Sequence, residues 1–510
     1  MSGTEDRSNR TIERDGRWAT TRRQFLRQMV GVTGGAALAP ILAACGGQAP
    51  ATSGATAAPA AGGAATSPPA PTEAPAAATT APAAPTAAPA AATAAPAAAA
   101  TAPAAASGGG KITLGSFADP AQDVLKNVFL PEFEKQTGIK TEWVEADYSG
   151  WFQKAVNDGQ TKAGAFDVYV LDDPWIPQFA GGGFVANMEE LGYQADADYV
   201  QAALDTGYWP PKTGPRQPGI DPNAKPALYA LPIIGDVQLL FYRNDIYTSG
   251  PPATWDDVLR TAKEKADPSK QQYGWVTRGV KGNPIVTSFF VILHDFGGKM
   301  FEDNWQIAFN NPQGVQALEF YLSLLPYEPP GVAEFDSDQE GQTMLEGNAF
   351  AATMWTGWCR QTDDASKSKV VGKVSFDVPP KQVDQFAKIG LFSAGIAASA
   401  PNKDGALKFF QWFNSSETQI KFAQAGGTPV KISAFQNEDA IKKARWLPAI
   451  LKALSAGKPS PRTPDWSKVE DILGTALNKA LVEKGNAKQH LDDAAAEATA
   501  YLKGAGYPVG

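Results

Sequence analysis

From Ala49 to Ala106 the chain is written in Ala, Pro, Thr, Ser and Gly, with Glu73 as the one exception. Such a stretch has no large apolar side chains to bury, so it cannot offset the entropy of ordering its own backbone. It is expected to act as a tether, and its prolines bias it towards polyproline II, reaching at most about 3.1 Å per residue. Whatever folds must therefore be built from the residues after it. Of the 510 residues this leaves about 400, too many for one ordinary core and enough for two lobes.

Ahead of the tether, Thr21-Arg22-Arg23-Gln24-Phe25-Leu26-Arg27 leads into an apolar, Gly-rich run from Met29 to Ala44. The run is too short to span a bilayer as a stable helix, and the order of parts is that of a twin-arginine export signal. Leu42-Ala43-Ala44-Cys45 resembles the lipobox of bacterial lipoproteins, in which small residues fit the signal peptidase and the thiol accepts a diacylglycerol. The expected division is a signal peptide over 1–44 and a lipidated Cys45 with its tether over 45–110. The resemblance implies a product that is exported and lipid-anchored at the outer face of the cytoplasmic membrane, at the cell surface or in the periplasm.

Charge narrows the partners. The formal net charge is -8, and residues 1–44 carry seven arginines against four acids, which leaves the remainder near -11. The part that folds has no Lys/Arg cluster, so a nucleic acid is not expected as partner. Two cysteines, Cys45 and Cys359, exclude a disulfide framework; Cys359, between Trp358 and Arg360, reads as a partly buried thiol. Two histidines, His294 and His490, in different helical contexts cannot by themselves make a zinc site, and no metal or other cofactor is expected.

Lys111 to Phe117 reads as a buried strand, with Val124, Leu125, Val128 and Phe133 as a helical stripe after it. Thr141 to Val144 and Phe166 to Leu171 are further strands, and this alternation implies a parallel sheet covered on both faces, with ligands at the carboxyl ends of its strands. Thr254-Trp255-Asp256-Asp257 has capping-box spacing. Asn311-Pro312 opens a helix with Val315, Leu318, Leu322 and Leu325 on one face, and Val469 to Ala480 and Leu491 to Tyr501 carry two more apolar stripes. These stripes are core.

Several segments are specific enough to indicate a family. Glu134-Lys135-Gln136-Thr137-Gly138-Ile139-Lys140, Phe166-Asp167-Val168, Tyr229-Ala230-Leu231-Pro232, Leu240 to Asp245 and Pro252 to Asp257 resemble the extracellular solute-binding proteins of the maltose-binding type, in family order. Glu346 to Ala352, Phe392 to Lys403 and Gly426-Gly427-Thr428-Pro429-Val430 continue the likeness, which covers roughly residues 111–500. The resemblance implies an α/β fold of two lobes, the type II periplasmic-binding-protein architecture, each lobe a mostly parallel sheet flanked by helices. The chain should cross between lobes near 232–236 and 390–396, giving an N-terminal lobe of 111–232 with 392–432 and a C-terminal lobe of 233–391 with 433–510. A ligand would sit in the cleft and closure would trap it. The implied function is capture of a carbohydrate or polyol by a monomer that delivers it to the permease and ATPase subunits of an ABC importer.

A sugar presents hydroxyls at its edge and C–H patches on its faces, so its site needs carboxylates and flat aromatics. Asp172-Asp173-Pro174-Trp175 follows the third strand and offers both; Asp173 could instead cap the next helix. Asp236 stands where the family presents an acidic contact beside the first crossing, or else is a hinge carboxylate bonding backbone amides. Of Trp355 and Trp358, where the family offers aromatic stacking, one is expected on the ligand and the other in the core. Asp119 and Tyr148 follow the first two strands and are further candidates, and Trp275 and Arg278 line the second lobe or pack within it. A glycan-active enzyme is the rival from another class, but adjacent carboxylates such as Asp172 and Asp173 diverge rather than flank one bond, and no hydrolase or P-loop motif is present. A surface lipoprotein that binds a protein partner is the other.

Overall fold

Residues 110–483 and 485–509 are described by a computed structural model. Arg22, Arg23, Cys45 and the tether lie outside the described residues. Strand β1 (Lys111–Phe117), buried from Ile112 onwards, pairs in parallel with β2 (Lys140–Ala146) and β3 (Val168–Asp172). Between β1 and β2 a π-helical stretch, Leu125–Phe129, runs into α1 (Leu130–Thr137), which ends at left-handed Gly138. The wider turn brings Leu125 and Phe129 inward and leaves Val128 49% exposed, so Val128 is not part of the stripe. Helix α2 (Tyr148–Thr161) follows β2, capped by Asp147, whose Oδ1 accepts from the Gly150 N–H at 2.9 Å. Its Trp151 lies on Gly115, where a Cβ would stand 2.0 Å from the indole; only glycine admits this packing.

The first sheet is completed by β4 (Leu231–Ile234), and the second is begun by β5 (Gln238–Arg243). After β5 come α3 (Trp255–Lys265), α4 (Asn283–Asp295), α5 (Pro312–Leu324) and α6 (Ser337–Leu345), then β6 (Ala351–Trp355), β7 (Val374–Asp377) and β8 (Phe392–Ile396). The chain ends in α7 (Lys403–Phe413), α8 (Leu447–Ala456), α9 (Trp466–Glu483) and α10 (Ala487–Gly504). The five-stranded sheet has the order β2-β1-β3-β8-β4, with β8 antiparallel to both neighbours. The three-stranded sheet, β6-β5-β7, is antiparallel throughout, which corrects the expectation of a mostly parallel sheet in the second lobe. Buried strands read as apolar runs in either direction, and the long excursion from β5 to β6 places no handedness constraint on their pairing.

The capping box at Thr254 forms as read: its Oγ1 accepts from the Asp257 N–H at 3.1 Å, and Asp257 Oδ2 accepts from the Thr254 N–H at 3.0 Å. Each lobe has its own core, one around Trp151, Tyr169 and Phe413, the other around Trp255, Trp275, Phe289 and Trp466. A third cluster draws on both, joining Val200 and Ala203 to Leu239, Phe241, Met354, Ile450 and Leu454. The lobes are linked three times: by Gly235 to Val237 between β4 and β5, by Lys388 to Leu391 before β8, and by Gly457 to Arg462. Val237 bridges to Ile389 and Lys388 to Lys458, so the three links lie side by side. The lobe bounds read from sequence, 392–432 and 433–510, already require a third crossing, but the bridge of Lys458 to Lys388 was not anticipated. Helix α8, assigned to the second lobe from sequence, also packs on the Gln201–Asp205 helix of the first. Among the described residues no helix is long and apolar enough to cross a membrane.

Candidate ligand cleft

The first lobe contributes the loops that leave its parallel strands. Asp119, after β1, caps a short turn by accepting from the Ala121 N–H at 2.8 Å, and burial pushes its carboxyl up to about 6 despite that bond and the nearby Arg278 charge. Tyr148 opens α2 and donates through its hydroxyl to Asp172 Oδ2 at 2.6 Å. The Asp172 carboxyl is pushed up to about 7, by burial first and by the charge of Asp173 second. The Tyr148 ring lies 4.6 Å from that of Trp175 and 5.2 Å from that of Phe117. Trp175 itself is only 4% exposed within this aromatic group, so it shapes the wall from behind Tyr148.

The crossings form the base. Asp236, 5% exposed, takes hydrogen bonds on one oxygen, Oδ1, from the amides of Val237 and Thr356 and from the Thr356 hydroxyl. It therefore bonds backbone amides, as a hinge carboxylate does, and it also keeps Oδ2 free of those bonds. Burial pushes it up to about 7; the Thr356 bonds pull it down, and Asp119 pushes it up again.

Asp173 corrects the sequence reading. It is fully buried between Lys388 Nζ at 3.7 Å and Arg462 at 3.6 Å, and its side chain caps no helix. Those distances exceed hydrogen-bond length, so the contacts are charge–charge. Burial raises its proton affinity, and Lys388 and Arg462 hold it down. Arg462 also donates to the backbone carbonyls of Asp173 and Thr206, fastening the third crossing to the first lobe. A carboxylate so enclosed fixes the hinge and has no surface to offer a ligand.

The second lobe supplies the facing wall. Trp355, at the end of β6, is half-buried, with the Arg278 guanidinium 6.0 Å from its ring centre. Arg278 is tied back by Asp336 at 3.0 Å and Thr287 at 3.3 Å. Trp358 is 7% exposed, donates to Ser337 Oγ at 2.9 Å and packs on Gly341, which makes it the core member of the pair. Trp275, 1% exposed and edge-on to Trp255 at 5.3 Å, is likewise core, so its place in the expected site is corrected. Glu470 of α9 accepts from Asn283 Nδ2 at 2.9 Å through Oε1 and is pushed up to about 7 by burial, with Lys388 opposing and Asp172 adding to the shift. The lobes touch at the Thr356-Gly357 turn, where a Cβ on Gly357 would stand 3.4 Å from that of Ala121. A separate groove of about 630 Å³ between the lobes, lined by Thr206, Pro211, Phe290, Trp305 and Arg462, includes none of the expected site residues.

This arrangement of two α/β lobes around a cleft agrees with known proteins. Residues 118–420 match the family model described as bacterial extracellular solute-binding protein. The chain belongs to this family. The solute-binding protein is 24% identical to a probable amino-acid ABC transporter periplasmic-binding protein of Sinorhizobium fredii, over 74% of its own length and 86% of the other. It is 24% identical to the mannitol-binding protein of Pseudomonas aeruginosa, over 74% and 89%. Among solved structures it resembles an ABC transporter solute-binding protein of Agrobacterium radiobacter in complex with ribitol, with a TM-score of 0.67, 26% identity and coverage of 76% and 98%.

Lys388, Arg462 and Glu470 were not singled out from sequence. Two of them nevertheless leave a trace: Lys388 interrupts the apolar run Phe386 to Ile389, and Glu470 falls four residues after Trp466 and three before Leu473, inside the apolar face of α9. A charge in such a place must meet a partner or a site.

Proposed function

We propose that the protein is the extracytoplasmic substrate-binding component of an ABC importer, capturing a carbohydrate or polyol in the cleft and delivering it to permease and ATPase subunits. The observation that carries the reading is the convergence of Asp119, Asp172 and Asp236 with the half-buried indole of Trp355 on the cleft of a solute-binding fold. Carboxylates accept from ring-edge hydroxyls, and an indole covers a C–H face. The mannitol-binding and ribitol-bound relatives support this cargo class. A monomer, exported through Arg22 and Arg23 and anchored by a diacylglycerol on Cys45, is the form in which we place it, with the Ala/Pro/Thr segment as spacer. An amino-acid cargo, suggested by the relative in Sinorhizobium fredii, would bring its α-carboxylate to a cleft whose cations Lys388 and Arg462 are held by Asp173.

The test is a thermal-shift panel of sugars, polyols, amino acids and glycerol phosphates on the full-length protein. A ligand that binds only the folded state stabilises it by about 2.7 kcal/mol at one hundred times its dissociation constant. A shift confined to sugars or polyols supports the reading. A shift confined to amino acids or phosphates refutes it.

A further inference from the structure

The cleft collects negative charge from both lobes and has little to neutralise it. Asp119 and Asp172 come from the first lobe, Asp236 from the first crossing and Glu470 from α9 of the second lobe. The cations nearby are committed: Lys388 and Arg462 flank Asp173, and Arg278 is bonded to Asp336. With Asp173 and Asp336 included, six carboxylates face three cations. Three of the first four, Asp119 with its one bond on Oδ1 among them, also present an oxygen with no hydrogen bond. Asp236, 5% exposed, takes every hydrogen bond on Oδ1, and Glu470, 7% exposed, takes its one bond on Oε1.

The like charges belong to different parts that meet in the cleft. Asp172 and Glu470 act on each other across it, as do Asp119 and Asp236. Bringing carboxylates together away from water is unfavourable unless a positive charge comes between them. The same crowding and burial raise the proton affinity of all four carboxyls, so each favours a positive charge beside it. Sugar hydroxyls can donate to carboxylates, but they leave the net charge unchanged. An ammonium brings three donors and the charge together.

Resting on the sugar or polyol reading of this cleft, we propose that the cargo carries a protonated amine among its hydroxyls: an amino sugar or amino polyol. Its ammonium lies between Asp172 and Glu470 or beside Asp236, and its carbon face lies on Trp355.

Calorimetric titration of the full-length protein at neutral pH tests this with matched pairs: glucamine against sorbitol, and glucosamine against glucose and N-acetylglucosamine. The expected result is at least tenfold tighter binding of an amine than of its neutral parent, with the gain erased by N-acetylation. Glu470→Gln should lower the amine's affinity severalfold more than it lowers the neutral parent's, and Asp119→Asn provides a second variant, read by the same ratio, should the first not fold. Neutral parents binding as tightly as the amines, or tighter, would overturn the amine proposal and leave the sugar cleft standing. Binding of amino acids or phosphates with no response to either series would overturn the sugar reading itself.

Discussion

Glu328→Gln should make the folded protein less sensitive to alkali. Glu328 is 5% exposed, neither carboxyl oxygen has a hydrogen-bond partner, and burial alone pushes it from 4.5 to about 8. The folded state thus holds this proton more tightly than the unfolded chain. The stabilisation it provides is complete below about pH 4.5 and is lost as the pH rises towards about 8. One proton bound differently costs about 1.4 kcal/mol per pH unit, so from about pH 5 to about pH 8 the loss through Glu328 is about 4 kcal/mol. A glutamine of the same shape keeps the packing and also lacks a partner, a penalty that does not change with pH. Urea unfolding of both proteins across this range should show the variant gaining about 4 kcal/mol relative to the parent as pH rises. A difference between them that stays constant within about 0.5 kcal/mol would mean that Glu328 ionises normally and is hydrated.

Three other substitutions separate core from cleft. Trp275→Ala should cost about 3–5 kcal/mol in urea unfolding and leave ligand affinity of the folded protein unchanged, because the indole is packed on Trp255; a large affinity loss would return it to the site. Arg462→Ala leaves Asp173 buried with Lys388 as its sole counter-ion and should cost about 3–5 kcal/mol, whereas a cost under about 1 kcal/mol would show the pairing to be incidental. Tyr148→Phe removes the donor that holds Asp172 down, so the Asp172 carboxyl should titrate above about 7 in a carbon-13 NMR titration; an unchanged midpoint would remove Tyr148 from its role.

What could be read from the sequence was what local rules determine. β1 ends where its apolar run ends, and the Thr254 box closes as spaced, because strand burial and capping depend on residues a few positions apart. The carboxylates at strand ends lie where the pattern put them: Asp172 closes β3 and Asp119 stands two residues past the end of β1. Failures came where distant chain decides. Asp173 looked like its neighbour Asp172 until Lys388 and Arg462, more than 200 residues on, enclosed it. Trp275 and Trp355 are both indoles with a threonine within the next two residues, and only the placement of Trp255 and Arg278 distinguishes core from cleft. Val128 fits a regular helical stripe, and a π-helical stretch turned it outward. The strand directions in the second sheet leave no mark in a mostly apolar pentapeptide such as Ala351 to Trp355.

The cleft itself is tested most directly by titrating whichever sugar or polyol raises the melting temperature into the parent protein, Asp236→Asn, Trp355→Ala and the core control Trp358→Phe. Loss of tenfold or more in affinity for the first two variants, with the control unchanged, is the expected result; tenfold corresponds to about 1.4 kcal/mol. Undiminished binding by both Asp236→Asn and Trp355→Ala would place the ligand somewhere other than this cleft.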